Sequence, residues 1–275
     1  MKIRYTADPV RFSRMTTDEI RESFLVESLF APDKIDLIYC DVDRVIIGSA
    51  VPEAGALELS EADELRANYF TQRRELGVLN IGGAGKVTVD GEAYQMANMD
   101  CLYIGMGSKK IVFESSDTSK PALFYLLSYP AHKEYPTALA RKADAAEVNL
   151  GSAEESNKRT IYKYIHPGGI KSCQLVMGIT QLEPGSVWNT MPAHTHERRM
   201  EVYLYFNMDQ AILFHFMGEP DATRHIVLSD RQAVISPSWS IHSGVGTKAY
   251  NFCWGMGGEN QAFDDMDGLE ISQLK

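Results

Sequence analysis

From Lys34 onward, this sequence consists of short apolar runs separated by Gly, Asp-Gly or Ser-rich turns. Several of the runs are rich in Val, Ile, Tyr and Phe, the residues that favour strands. Short strands at regular intervals with turn signals between them are typical of a β-sandwich or barrel. We therefore predict an all-β fold from runs in both parts of the chain, among them 34–40, 77–81, 101–104, 122–127, 160–165, 202–206, 233–235 and 250–254.

Two stretches depart from the strand pattern. Residues 16–30 have a Thr/Asp start and apolar residues at helical spacing, which predicts a partly helical N-terminal segment. Residues 138–158 are small and polar, which predicts a linker. The chain is then two β-rich halves, 1–150 and 151–275.

The charge balance excludes several classes of partner. The net charge is −10, from 37 acidic and 27 basic side chains, and no Lys/Arg-rich tract offsets it. Nucleic acid and anionic membranes are poor partners for such a surface. No apolar run is long enough to cross a bilayer, no export signal is visible, and the four cysteines form no C-x-x-C pair. We predict a soluble, cytoplasmic protein with reduced thiols.

Candidate metal ligands lie in the second half. His194 and His196 are two residues apart, so on an extended segment both imidazoles lie on one face. Glu201 follows, and His242 comes after a Pro/Ser turn. A lone His-x-His is more often incidental than not, but the carboxylate and the third imidazole favour a metal site. Three nitrogens and one oxygen suit zinc, manganese, iron, cobalt or nickel rather than calcium.

The two halves can be aligned with each other, and the alignment predicts a single site per chain. It pairs residues of the first half, in order, with the candidate ligands of the second: Asn68, Phe70, Glu75 and Lys110 with His194, His196, Glu201 and His242. The first half thus keeps the sandwich pattern and lacks the metal ligands.

The pattern His194-x-His196-x4-Glu201, with the later Pro237-x4-His242 turn, resembles the two metal-binding motifs of the cupin superfamily. Within cupins, the sequence is similar to the 5-keto-4-deoxyuronate isomerase family, also named 4-deoxy-L-threo-5-hexosulose-uronate ketol-isomerases. This closer likeness is carried by segments 157–167, 172–178, 184–192 and 194–203.

This resemblance implies a bicupin with a few short helices and a zinc-dependent aldose–ketose isomerase of pectin and glycosaminoglycan breakdown. It implies conversion of 4-deoxy-L-threo-5-hexosulose uronate to 3-deoxy-D-glycero-2,5-hexodiulosonate. It also implies one Zn²⁺ per chain and a cytoplasmic homo-oligomer, commonly a hexamer. The implied metal ligands are His194, His196, Glu201 and His242.

The chemistry suggests further site residues. A divalent ion with open positions would polarise the sugar carbonyl by Lewis acidity. Hydrogen transfer needs either a base or a hydride shift, and the sequence leaves both open. The candidate catalytic residues are His166, Lys163 and Glu197, with Tyr162 as a further possibility. Guanidinium groups bind carboxylates in two-point fashion, so the candidate substrate-binding residues are Arg159, Arg198 and Arg199.

Other functions also fit parts of the pattern. An iron dioxygenase would use a similar ligand set, and a non-catalytic sugar-binding cupin would hold a purely structural metal. The run His196-Glu-Arg-Arg-Met200 lacks the second histidine of a zincin. The glycine-rich stretch 82–86 lacks the Ser/Thr that follows the lysine of a phosphate loop.

Overall fold

A computed structural model describes residues 1–60 and 63–275, and β-strands dominate it. Its two α-helices are α1 (Pro9–Phe12) and α2 (Thr17–Phe24). Single 3₁₀ turns occur at Val42–Arg44, Asp63–Leu65, Phe70–Gln72, Lys142–Asp144 and Ile271–Gln273. The strands up to residue 140 are β1 (Lys2–Arg4), β2 (Leu25–Val26), β3 (Lys34–Cys40), β4 (Ile46–Val51), β5 (Leu57–Glu58), β6 (Arg74–Asn80), β7 (Gly85–Val89), β8 (Glu92–Met96), β9 (Cys101–Ile104), β10 (Ile111–Ser115), β11 (Phe124–Pro130) and β12 (Ala138–Ala140).

The later strands are β13 (Ala146–Leu150), β14 (Arg159–Ile165), β15 (Val176–Leu182), β16 (Trp188–Asn189), β17 (His194–Thr195), β18 (Arg199–Phe206), β19 (Leu213–Met217), β20 (Arg224–Leu228), β21 (Ala233–Ser236), β22 (Ser243–Gly246), β23 (Asn251–Gly258) and β24 (Asp267–Gly268). The all-β prediction is confirmed. No described helix is long and apolar enough to cross a membrane.

The same arrangement of two sheets occurs twice. One seven-stranded sheet has the order β1-β3-β4-β11-β6-β9-β12, and the other has the order β13-β14-β15-β23-β18-β21-β2. The four-stranded sheets, β5-β10-β7-β8 and β16-β22-β19-β20, match in the same way. This topology makes β6 the equivalent of β18 and β10 the equivalent of β22. Glu75 and Glu201 therefore lie on equivalent strands, and Lys110 and His242 each directly precede an equivalent strand, as the sequence alignment predicted.

The chain forms two compact units, and each takes segments from separate parts of the sequence. Unit 1 comprises Met1–Arg4, Ser28–Ala145 and Tyr164–Val176, and unit 2 comprises Tyr5–Glu27, Ala146–Lys163 and Met177–Lys275. The predicted halves 1–150 and 151–275 do not coincide with this division, because residues 5–27 and 146–150 of the first half belong to unit 2 and residues 164–176 of the second half belong to unit 1. Sequence patterns report which residues form strands and not which sheet receives them.

The predicted linker at 138–158 contains two short strands. β12 pairs with β9, and β13 pairs with β14 along five residues from Ala146 to Leu150. Both strands are at sheet edges, and their residues are half-buried or exposed. An edge strand with so little burial needs few apolar residues, which explains why its sequence does not show strand alternation.

The N-terminal segment of unit 2 packs on the turn that precedes His242. Helix α2 begins with a capping box, in which Thr16 accepts from the Glu19 amide at 3.3 Å and Glu19 accepts from the Thr16 amide at 2.7 Å. The rings of Phe12 and Phe24 lie 5.3 and 6.4 Å from the ring of Trp239. Aromatic pairs in this range each add about 0.5–1.5 kcal/mol beyond area burial. The helix prediction is confirmed, and the helices brace a loop of the candidate site.

In unit 1, the carboxylate of Glu75 has a structural role. Its side chain is fully buried and accepts the backbone N–H groups of three consecutive residues, Cys173 at 2.6 Å, Gln174 at 2.7 Å and Leu175 at 2.8 Å. The hydroxyl of Tyr103 donates to the same group at 2.8 Å. Four donors satisfy a buried carboxylate without a cation. The residue thus fixes the segment that enters β15.

We expect Glu75→Gln to destabilise unit 1 by about 2–4 kcal/mol, because an amide replaces two strong acceptors with one weaker acceptor and a donor that faces other donors. Urea unfolding, with hydrogen exchange at the amides of residues 173–175, measures the effect. Glu114→Gln is the matched control, since Glu114 is paired with Lys86 at the surface and should change stability by less than about 0.5 kcal/mol. Wild-type protection of the three amides in E75Q would contradict this role.

Candidate metal centre

Glu201 is held inside unit 2 by a central strand. β18 pairs with β21 on one side and β23 on the other, so Glu201 lies opposite Ser236 and Met256. Every residue of β18 is buried. Side chains alternate along a strand, so Glu201 and Tyr203 share one face and Met200 and Val202 the other. Burial of both faces explains why the run 202–206 shows no polar alternation.

His194 and His196 approach Glu201 from the segment just before β18. His194 begins β17, which pairs with β24, whereas His196 lies in the turn between β17 and β18. His196 is 1 % exposed, and its Nδ1 donates to the carbonyl oxygen of Arg199 at 2.9 Å. This bond fixes the ring and leaves Nε2 as the atom that faces Glu201.

His242 arrives from the opposite sheet. It follows a tight turn in which the amide of Ser240 donates to Pro237 at 3.0 Å and the amide of Ile241 donates to Gly218 at 3.0 Å. His242 is fully buried. The predicted Pro/Ser turn therefore positions the imidazole of His242, the third in the cluster.

The four side chains converge on one point. Their ligand atoms all lie within 4.8 Å of one another. Glu201 Oε2 is 3.1 Å from His196 Nε2 and 3.0 Å from His242 Nε2, and the Nε2 atoms of His194 and His242 are 3.0 Å apart. Two ring nitrogens at that distance can share only one proton, whereas a cation between them would satisfy both. The donor set of three imidazoles and one carboxylate therefore fits a divalent transition metal.

The electrostatics of the cluster favour the ligating forms of His194 and Glu201 but not that of His196. Burial, reinforced by His242, lowers the pKa of His194 to about 3, which keeps this imidazole neutral. Burial alone would raise the pKa of Glu201, but His242 and His196 lower it well below its ordinary value. Burial also opposes the charged form of His196, yet the hydrogen bond to Glu201 raises its pKa above 6.5. Protons thus compete with a metal first at His196.

A cavity of about 640 Å³ opens above the cluster. His194 and Glu201 form part of its lining, whereas His196 and His242 lie behind them. The walls combine aromatic and methionine side chains with a few polar groups, as small-molecule sites usually do. The lining includes Arg159, Ile161, Thr190, Arg199, Tyr203, Phe252, Trp254, Met256, Phe263, Asp264, Met266 and Glu270.

The three predicted substrate arginines have different surroundings. Arg159 lines the cavity, and one of its terminal nitrogens donates to the carbonyl oxygen of Asn157 at 2.8 Å. Arg199 also lines the cavity but is 2 % exposed and donates to backbone carbonyls. Arg198 is outside the lining and is paired with Asp265 and Asp267. Both terminal nitrogens of Arg199 are used by backbone carbonyls and its Nε is buried, so Arg159 is the arginine better placed to bind a ligand.

None of the three predicted catalytic residues lines the cavity. His166 belongs to unit 1, and Glu197 is exposed in the turn between β17 and β18. Lys163 is half-buried on β14, with its ammonium 5.2 Å from the centre of the Phe263 ring, which does line the cavity. The spacing of residues in the sequence does not show that Asp264 and Glu270, and not these three groups, line the cavity.

Sequence reasoning missed Tyr203 and Thr190. The hydroxyls of these two lining residues are 3.0 Å apart. Thr190 has φ of +44°, a strained conformation for a β-branched residue and one that often marks functional sites. Nothing in the local sequence predicts it. His215 is buried with its Nδ1 2.7 Å from the Tyr205 hydroxyl, as expected for a hydrogen-bonded sandwich histidine.

Solved structures share this fold. An IolB-like protein from Salmonella typhimurium superposes with a TM-score of 0.72 at 15% identity, over 90% of this chain and 96% of the other. An oxalate decarboxylase from Bacillus subtilis gives a TM-score of 0.54 at 12% identity, over 79% and 70%. At these identities the likeness concerns the fold alone, and it supports the bicupin prediction.

Sequence relatives match over the whole length. A 4-deoxy-L-threo-5-hexosulose-uronate ketol-isomerase from Lachnoclostridium phytofermentans is 57% identical over 276 residues, with all of both chains covered. An enzyme of the same name from Escherichia coli O157:H7 is 51% identical over 278 residues, again with full coverage. A family model described as the KduI/IolB family matches residues 24–271. The chain therefore belongs to the KduI/IolB family.

Proposed function

We propose that this protein is an aldose–ketose isomerase that converts 4-deoxy-L-threo-5-hexosulose uronate to 3-deoxy-D-glycero-2,5-hexodiulosonate. The full-length relatives carry the name of this activity. The observation that carries the proposal is the cluster of His194, His196, Glu201 and His242 at the base of a cavity large enough for a six-carbon sugar acid. The reaction would serve the breakdown of unsaturated uronates from pectin and glycosaminoglycans.

The cluster would hold one divalent ion per chain, and we propose Zn²⁺ because three imidazoles and one carboxylate suit it. The same donor set also accepts manganese, iron, cobalt or nickel. When bound, the ion would supply Lewis acidity at the sugar carbonyl. The protein would hold the ligands in place. The backbone carbonyl of Arg199 orients the His196 ring, and β18 fixes the position of Glu201.

Arg159 is the group that we propose for the substrate carboxylate. It lies in the cavity lining, and among the described residues its guanidinium donates to one acceptor, the Asn157 carbonyl. Burial lowers its pKa, although guanidinium stays protonated in proteins. A partly desolvated guanidinium binds a carboxylate more strongly than an exposed one. This would orient the acid end of the sugar away from the metal ligands.

The group that moves the proton is a separate question. His166, Lys163 and Glu197 stay predictions, and we add Asp264 and Glu270 because both carboxylates line the cavity. A general base must come within about 3 Å of its proton, directly or through one water. Position in the lining therefore favours the two added carboxylates.

We also propose a cytoplasmic homo-oligomer, with a hexamer as the expected size. This part depends on the family resemblance. Light scattering coupled to gel filtration tests it directly on the purified 30.7 kDa chain.

The isomerase should lose turnover when its metal is removed. We expect chelator-treated protein to fall by at least about a hundredfold in kcat, because charge that develops on the sugar oxygens loses its main stabiliser, and Zn²⁺ should restore activity. Metal analysis and an assay on the 5-keto-4-deoxyuronate measure this, with oxygen uptake as a check for dioxygenase chemistry. His196→Ala should lose metal and activity together while His225→Ala, at an exposed site, keeps both. An H196A protein that is folded, metal-free and fully active would contradict the proposal.

Metal affinity should weaken as the pH falls. His196 has a raised pKa in the metal-free protein, so below that pKa a proton must leave this ring before it can bind the ion, whereas His194 stays neutral until about pH 3. We expect the Kd for Zn²⁺ to rise about tenfold per pH unit on the acidic side of the His196 pKa. Chelator competition at pH 8, 7, 6 and 5.5 measures this, with circular dichroism to verify the fold. A Kd for Zn²⁺ that stays constant across this pH range would contradict the prediction.

Replacement of Arg159 should weaken substrate binding and leave the metal in place. Arg159→Met removes a guanidinium–carboxylate pair, so we expect KM to rise about ten- to hundredfold. Arg159→Lys should have a KM between those of wild type and Arg159→Met, because an ammonium keeps the charge but cannot form the two-point contact of a guanidinium. Arg231→Met, at an exposed arginine paired with Asp230, is the matched control. Unchanged KM in R159M would assign the carboxylate to another group.

A further inference from the structure

Residues 259–270, which we call the wall segment, form one side of the cavity. The segment follows β23 and includes the short strand β24. Six of its residues contribute to the cavity lining: Phe263, Asp264, Met266, Gly268, Leu269 and Glu270. Apart from β24 it has no regular secondary structure. Its position therefore depends on contacts made by its side chains and backbone.

Arg199 holds the first part of the wall segment from inside. Its guanidinium donates to the carbonyl oxygens of four residues, at 3.4, 3.2 and 3.1 Å for Asn260, Phe263 and Asp265 and with a short contact to Ala262. Burial lowers the pKa of Arg199. A buried cation is costly unless acceptors surround it, and here carbonyl oxygens of the wall segment accept from both terminal nitrogens of Arg199.

Arg198 holds the same segment from outside. Its Nε donates to Asp265 at 3.0 Å, and a terminal nitrogen lies 2.8 Å from carboxylate oxygens of both Asp265 and Asp267. The side chain is 34% exposed. The hydrogen bonds to Asp265, and then to Asp267, raise the pKa of Arg198, and the guanidinium in turn lowers the pKa of Asp265. Both partners are therefore charged when they meet.

Backbone bonds complete the attachment. The Glu259 amide donates to the carbonyl oxygen of Arg198 at 2.9 Å, and the Leu269 amide donates to that of Ala193 at 3.2 Å. Between them, β24 pairs with β17. The wall segment is thus fastened along residues 193–199, the same short segment that carries two of the candidate metal ligands.

We propose that Arg198 and Arg199 are positioning residues: they fasten the wall segment to the ligand-bearing segment and so set the width of the substrate cavity, instead of binding the substrate carboxylate. This inference rests on the proposed isomerase for its kinetic consequence only. Arg199 acts from the buried side and Arg198 from the exposed side. Because Arg198 touches neither the ligand atoms nor the cavity, its removal loosens the wall and leaves the metal cluster intact.

The test uses the full-length, metal-loaded protein with Arg198→Gln and with the double variant Asp265→Asn/Asp267→Asn. Arg231→Gln is the matched control, since Arg231 is 51% exposed, is ion-paired with Asp230 and lies outside both the wall segment and the cavity lining. We expect both test variants to raise KM about three- to tenfold, with kcat within about twofold of wild type and an unchanged metal content. Arg198→Lys should recover part of the loss, since an ammonium can still pair with one aspartate.

Two readouts do not depend on catalysis. The ring of Trp254 lies 5.3 Å from that of Phe263, so a loosened wall should change tryptophan emission, and the change should vanish in a Trp254→Phe background. Limited proteolysis should cut R198Q within 259–270 several times faster than R231Q. Changed emission and proteolysis without any isomerase activity would refute the proposed function and keep the fastening role.

Wild-type KM, emission and cleavage in R198Q would overturn the inference. A parallel loss of kcat and metal would also overturn it, because the arginine would then support the ligands and not the wall. Arg199→Met tests the buried side; if it does not fold, the exposed variants alone decide.

Discussion

A carboxylate placed between imidazoles is the interaction on which the candidate site depends. Glu201 is 4% exposed, and its Oε2 lies about equally far from His196 and His242. A buried charge in such a position is costly unless it is paired or bound to a metal. The fold must therefore bring β18, the turn before β22 and the segment before β18 to one point within a few tenths of an ångström. Most of the other features of unit 2 serve that requirement.

The duplicated topology shows a second solution to the same problem. At the equivalent position of unit 1, the carboxylate of Glu75 is neutralised by three backbone N–H groups and a tyrosine hydroxyl. Lys110, which replaces the third imidazole, is 64% exposed and paired with Glu58 at the surface. One position in the fold thus serves either as a candidate metal ligand or as an anchor for a neighbouring segment. The difference depends on which donors surround the carboxylate.

The sequence was sufficient for the all-β fold and for predicting the cluster of His194, His196, Glu201 and His242, because apolar runs and histidine spacing are local signals. It could not assign the edge strands β12 and β13, whose residues are too exposed to need an apolar pattern. The roles of Arg159, Arg198 and Arg199 were also beyond it. Adjacent arginines look alike in a sequence. Yet Arg198 donates to the carboxylates of Asp265 and Asp267, whereas Arg199 donates to backbone carbonyls. Only tertiary structure separates them.

The exchange of segments between the units also affects how the protein is made. Tyr5–Glu27 belongs to unit 2, where β2 pairs with β21 and the phenylalanines of both helices pack on Trp239. A ribosome produces this segment before its partners, which follow more than 200 residues later. Phe12 and Phe24, both buried in the final fold, can contact each other early but lack Trp239 until it has been synthesised. Nascent chains of this protein therefore carry an exposed apolar segment that chaperones can bind until the last strands of the second unit emerge.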